Sequence, residues 1–150
     1  MKARRRARRL TLEVLYEYDV ADHAPGEVLQ RRLDEQPVER AVAEFAGELL
    51  FGVVETQEQM DMLISRYAPE WPLEQMAVID RNVLRIAIYE FLIDGSTPTK
   101  VAINEAVELA KMYGSDSAPR FINGVLGTLA EQSEALRHEL LLDPEPEPTL

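Results

Sequence analysis

The chain of 150 residues has no cysteine and only two histidines, His23 and His138. The first absence excludes disulfides, thiolate metal sites and a cysteine nucleophile, and suits a reducing compartment. The second leaves no metal-ligand pattern and no histidine with serine and acid partners at readable spacing. No apolar run approaches the roughly 18 residues that a membrane span requires, and no apolar stretch follows the basic start as it would in a secretory signal. A cytoplasmic, membrane-free protein is expected, with no catalytic residues, no metal and no cofactor. Asn104, Glu105 and Glu108 share one helical face, but acids on a solvent face more often confer solubility than acid–base chemistry.

What is present is helical periodicity, densest between Ile79 and Leu126. In IDRNVLRIAIYE and its flanks, Val83, Leu84, Ile86, Ala87, Ile88, Tyr89 and Phe91 are apolar almost all round a helix, so other helices must wrap it. In VAINEAVELAKMYG, Ile103, Ala106, Val107 and Ala110 recur at i, i+3, i+4 and i+7, which gives a one-sided amphipathic helix. Pro98 and Thr99 mark its start. Gly114 marks its stop, where glycine is expected to take the left-handed conformation. RFINGVL opens a third helix, with Asp116 or Ser117 as its cap and Pro119 in its first turn. Phe121, Val125 and Leu129 are expected to face inward. Gly124 and Gly127 each cost about 1 kcal/mol against alanine inside a helix, and close helix–helix approach is the expected reason, ahead of a need for exposed backbone.

Upstream, Leu10, Leu12, Val14, Leu15, Tyr16 and Tyr18 predict a first helix, broken at Pro25 and Gly26. A short helix follows over Glu27 to Gln36. Val42, Phe45, Leu49, Val53, Met60, Leu63 and Tyr67 predict one long helix of about seven turns at 3.6 residues each. Trp71, the lone tryptophan, precedes Pro72 in a turn and is expected to plug the joint between two halves of the molecule. After Leu129 helix is expected to about Leu142, and the alternating prolines and glutamates of 143–150 predict an extended, mobile tail.

Net charge is −11, but it is polarised. Lys2, Arg4, Arg5, Arg6, Arg8 and Arg9 place +6 in the first nine residues, so the other ten basic residues face all 27 acids, a balance of −17. Any phosphate would be drawn to the basic end and repelled elsewhere, so RNA binding would be confined and salt-sensitive. A simply solvated charge run remains open on these residues alone. Arg5, Arg8 and Arg9 share a face by three- and four-residue spacing. Replacing Arg5 and Arg8 is expected to leave stability nearly unchanged, as for exposed charges.

These blocks, with RRRARRLTLEVLYEYDV at the start, FAGELLFGVVETQEQMD in the middle and the Trp71–Pro72–Leu73 turn, resemble the NusB family of transcription antitermination factors. The resemblance covers roughly Lys2 to Leu129, and several separate motifs agree in sequence and order. It implies an all-α fold of two small helical bundles packed together, about seven helices in one domain over 1–142, with subdomains about 1–70 and 71–142. It also implies a factor that binds boxA-type single-stranded RNA together with NusE, a small-subunit ribosomal protein, and is delivered to the RNA polymerase antitermination complex, favouring rRNA transcription.

By the same resemblance Arg5, Arg6, Arg8 and Arg9 meet RNA, joined by Arg120 and Phe121 at the start of the last matched helix. Phosphate contact and stacking are the two ways in which single strands are usually held. Phe121 is as readily a core residue. Tyr16 and Asp80 match positions that meet NusE, with Arg81 and Arg85 nearby. Tyr16 lies in an apolar stripe, and Asp80 also suits the helix dipole, worth about 0.3–1 kcal/mol. The alternative is a protein–protein adaptor of the same fold with little RNA affinity, for which the −17 balance argues. Monomer and homodimer both stay open.

Overall fold

A computed structural model of the chain describes residues 2–140, and the expected Pro/Glu tail lies outside the described residues. Eight α-helices are described: α1 (Lys2–Ala21), α2 (Pro25–Glu35), α3 (Arg40–Glu55), α4 (Gln57–Tyr67), α5 (Val78–Ile88), α6 (Thr99–Tyr113), α7 (Ala118–Glu131) and α8 (Ser133–Glu139). A 3-10 turn, Leu73–Gln75, precedes α5, and a π-helical turn, Tyr89–Ile93, continues it. The all-α fold is as the sequence implies.

The centre is α5, in which Val83, Leu84, Ile86, Ala87 and Ile88 are all buried. Helices α1, α4, α6 and α7 lie against it, and α1 also packs on α2 and α3. A helix apolar all round can be stable only in such a sheath, where each buried aliphatic side chain contributes roughly 1.5–3 kcal/mol relative to exposure. Leu12, Val14 and Leu15 of α1, Leu49, Leu50 and Val53 of α3, and Ile122, Leu126 and Leu129 of α7 supply the surrounding layer.

Three local expectations are corrected. The long middle helix is two, because the chain breaks at Thr56, whose hydroxyl donates a 2.7 Å hydrogen bond to the Gly52 carbonyl. A β-branched hydroxyl that competes for a helix carbonyl bends the chain. Gly114 does end α6, but with φ −98° and extended backbone. Its glycine is needed for space, since a Cβ there would stand 2.7 Å from the Ala118 Cβ and 2.9 Å from the Ala110 carbonyl oxygen. Ser117 immediately precedes α7 without making a side-chain cap.

Close approach occurs at a different glycine from those expected. A Cβ on Gly124 or Gly127 would meet nothing within 4 Å, so no neighbouring helix approaches there. At Gly52 a Cβ would overlap the Tyr89 ring, so glycine lets the π-helical turn sit on the backbone of α3. That turn closes with the Asp94 N–H donating to the Tyr89 carbonyl at 2.8 Å, and Gly95 follows with φ +76°. Glycine adopts that left-handed conformation without a Cβ penalty.

Candidate nucleic-acid interface

The opening turns of α1 send their arginines in different directions. Arg8 is buried, with its Nε and Nη2 donating to the two carboxylate oxygens of buried Glu90, both at 2.8 Å. Glu90 lies in the π-helical turn and also accepts a 2.8 Å hydrogen bond from the Thr97 hydroxyl. With all its charge satisfied indoors, Arg8 is a structural clamp between α1 and the centre of the molecule. It is withdrawn from the RNA-contact set, and its expected exposure is corrected.

Arg5 and Arg6 are exposed and Arg9 is half-buried. Arg5 is exposed and donates from Nε to Glu105 of α6 at 3.0 and 3.1 Å, which raises its pKa. Its terminal nitrogens bond to no described residue. Arg6 has only a 3.8 Å approach to exposed Glu39, a pairing of little energetic weight. Arg9 reaches the Met112 sulfur at 3.8 Å, a weak contact. Arg4 stacks its guanidinium 4.2 Å from the Phe45 ring centre.

The tertiary structure joins this arm to the start of α7. Arg5, Lys111 and Arg120 line one open depression of about 620 Å³, with Asn104, Asn123 and Glu108, whose carboxylate lies 3.3 Å from the Lys111 ammonium, as further polar walls. Arg120 is exposed and pairs with no acid among the described residues. Arg5 and Arg120 are 115 positions apart in sequence but belong to one basic track. Lys111 and the two asparagines were missed as site residues, because a polar helix face carries no signal of what it borders.

Arg120 also lines a second depression, of about 440 Å³, with Trp71, Met76, Asp80 and Phe121. Phe121 is half-buried, so it is neither a sealed core residue nor a free one. Trp71 is 52 % exposed, and its expected role as a plug between the halves is overturned. The turn Leu73–Gln75 holds it at the surface rather than between helices.

The other predicted cluster is held by a polar network. Asp19 of α1 accepts from Arg81 Nε at 2.9 Å, Asn82 Nδ2 at 3.0 Å and Arg85 Nη1 at 3.2 Å. Arg85, itself buried, also grips Asp61 with two hydrogen bonds of 2.8 and 3.0 Å. Burial pushes the Asp19 pKa up, but the hydrogen bonds of Arg81 and Asn82 and the charges of Arg85 and Arg81 outweigh it and hold it below the ordinary value. Arg85 is therefore a buried tie between α1, α4 and α5 and not an accessible partner contact, a second correction. Arg81 is largely consumed by Asp19 and the Leu73 carbonyl.

Tyr16 is 44 % exposed, one turn before Asp19 on α1, with Val20 exposed beyond it. Asp80, in the first turn of α5, is half-buried, and its Oδ1 is sealed without a hydrogen-bond donor. Burial raises its pKa. The Asp19–Arg81 contact thus draws together the two helices that carry Tyr16 and Asp80.

An all-α fold with exposed cations along one depression, an adjoining aromatic depression, and exposed Tyr16 and Val20 on α1 has the surfaces of a binding protein. No group of three potential metal ligands occurs among the described residues, and no described helix is long and apolar enough to cross a membrane. Comparison with known proteins agrees. The model of the NusB family matches residues 5–131. The transcription antitermination protein NusB of Chloroflexus aggregans is 48% identical over 136 residues, covering 89% of this chain and 91% of that protein. NusB of Roseiflexus sp. strain RS-1 is 47% identical over 131 residues, covering 86% and 92%. The chain belongs to the NusB family. Among solved structures, T. maritima NusB superposes with a TM-score of 0.80 at 36% identity, covering 91% of this chain and 96% of that one. A chain in the crystal structure of antitermination factors NusB and NusE in complex with double-stranded RNA superposes at 0.80 with 26% identity, covering 87% and 98%.

Proposed function

We propose that this protein is a transcription antitermination factor that binds boxA-type single-stranded RNA jointly with NusE and works in the RNA polymerase antitermination complex, in the cytoplasm. The carrying observation is the track on which Arg5 of α1 meets Lys111 and Arg120, on a chain of net charge −11. Cations brought together on the surface of an otherwise acidic molecule favour phosphate binding where they meet. Family membership and the likeness to a NusB–NusE–RNA complex support the same reading. The role is binding and delivery, and it needs no catalysed reaction.

Arg5, Arg6, Arg9 and Arg120 hold phosphates, and half-buried Phe121, beside Arg120, meets a base. Tyr16 and Asp80, with Arg81 behind them, form the NusE-facing surface. The halves, about 1–70 and 71–142, act as one binding unit, because α1 packs against both α3 and α5. The test is fluorescence anisotropy of labelled boxA-type and scrambled RNA, with and without NusE, at two salt concentrations. Sequence-preferring, salt-sensitive binding that NusE strengthens is the expected result. Equal binding to both RNAs, or none even with NusE, would establish instead the adaptor of the same fold. Asp80→Lys is expected to weaken NusE binding, and NusE binding left intact in that variant would sink that assignment.

A further inference from the structure

Trp71 stands out among the exposed apolar side chains, because large aromatics bury the most area when they find a partner and are seldom left half exposed on a turn without one. Its indole N–H donates to no described residue. The depression of about 440 Å³ that it lines contains a second aromatic ring, Phe121, an unpaired guanidinium, Arg120, and a carboxylate, Asp80. Met76 forms an apolar wall. Two aromatic side chains, a planar cation and a hydrogen-bond acceptor around one small, open cavity match a flat heteroaromatic ring with N–H groups on its edge. They do not match an aliphatic side chain, which would leave the carboxylate and the guanidinium unsatisfied.

The second observation is continuity. Arg120 borders both this depression and the basic track shared with Arg5 and Lys111. A single strand whose phosphates follow the track would arrive at Arg120 with a base free to turn aside. Splayed bases stacking on aromatic and guanidinium planes are how single-stranded RNA is usually held.

We propose that Trp71, together with Phe121 and Arg120, forms a stacking pocket for one unpaired nucleobase at the end of the basic track, with Oδ2 of Asp80, the carboxylate oxygen that is not sealed, accepting from an N–H on the edge of that base. This rests on the RNA-binding reading above and adds to it a tryptophan and an edge contact. Asp80 then stands at the seam of two surfaces, lining the base pocket while its helix meets the Asp19 network of α1.

The chain's single tryptophan makes the pocket directly observable. Full-length protein is titrated with single-stranded boxA-type RNA, following Trp71 fluorescence and, in parallel, anisotropy of the same RNA carrying an end label. The expected result is quenching that saturates together with the anisotropy. Replacing one nucleotide by an abasic residue, scanned along the strand, should abolish the quenching at a single position while most of the affinity survives. Trp71→Ala should weaken binding about tenfold, and Trp71→Phe should restore most of it, with the salt dependence unchanged in both because no charge is removed. Helical circular dichroism confirms that both variants fold.

If anisotropy reports binding while Trp71 fluorescence and Trp71→Ala affinity stay unchanged, the pocket is overturned and the RNA-binding reading stands. If fluorescence responds to NusE alone and not to RNA, the occupant is a protein segment and the proposal is likewise overturned. If neither measurement detects RNA, with or without NusE, the RNA-binding reading itself fails and the pocket with it.

Discussion

The opening turns of α1 and the central helix α5 both carry closely spaced arginines, and the fold treats the two sets in opposite ways. In α5, Arg85 is buried against Asp61 and Asp19, and Arg81 is spent on Asp19 and a carbonyl. In α1 only Arg8 is sealed, on Glu90, whereas Arg5 and Arg6 are exposed and Arg9 is half-buried. The same residue type is mortar in one place and surface in the other. The difference lies in helical phase: a guanidinium on the inward stripe must meet a carboxylate, because an unpaired charge in a dry interior is too costly to keep. A tally of cations therefore overstates what a phosphate can reach.

The contrast is broken most forcefully at Arg8. Arg8→Ala leaves Glu90 buried with Thr97 as its remaining side-chain donor, and is expected to lower stability by about 3–5 kcal/mol in urea unfolding. Arg5→Ala should leave the unfolding midpoint where it was. If the two variants unfold alike, the division into clamp and surface is wrong.

A smaller loss is expected on the side of α5. Gly52→Ala drives a methyl into the Tyr89 ring and should cost about 1–3 kcal/mol, as overpacking does. Gly124→Ala, in open space, should instead stabilise α7 slightly by helix propensity. Thermal unfolding of the pair decides between close approach and open backbone at each site.

Two half-buried carboxylates, Asp19 of α1 and Asp80 of α5, should titrate with opposite signs. Asp19 has its folded pKa lowered, so its contribution to stability is complete above the unfolded value of about 3.9 and is lost as pH falls through the folded pKa. Asp80 has its folded pKa raised, so its ionised form is penalised in the fold. That penalty is absent below about 3.9 and complete once pH exceeds the raised folded value. Asp80→Asn should therefore raise stability at neutral pH and make no difference in acid, whereas Asp19→Asn should lower it at neutral pH. Urea midpoints at several pH values read both.

The gentlest change concerns the outer arginines. Removing Arg5, Arg6 or Arg9 should reduce the slope of log affinity for single-stranded RNA against log salt by about 0.7 each, with stability unaltered. An unchanged slope would place those side chains off the RNA.

Much of the fold was legible because it is written in local terms. The all-round apolar block at Ile79–Phe91 demanded a sheath, Pro98 and Thr99 marked where α6 begins, and Val42 to Leu63 kept helical period. The break at Thr56 escaped because periodicity runs through it, and one hydroxyl bonding a carbonyl leaves no trace in an apolar pattern. Gly52 escaped for the same reason: the ring that requires it comes from a distant turn. For the site, the exposed cations Arg5 and Arg120 could be named singly, but not their meeting, and Trp71 was assigned inward because a lone aromatic beside proline says nothing about which side of a turn it takes.

By itself the sequence determined that this chain folds as wrapped helices, with a cluster of positive charge at its start and no thiol, since composition and period act within a few turns. Only the tertiary structure decided which arginines are sealed against acids, which cations share a track and which aromatics are left in the open. Those outcomes depend on what lies across a helix interface, and side chains that meet there are separated by up to 115 positions along the chain.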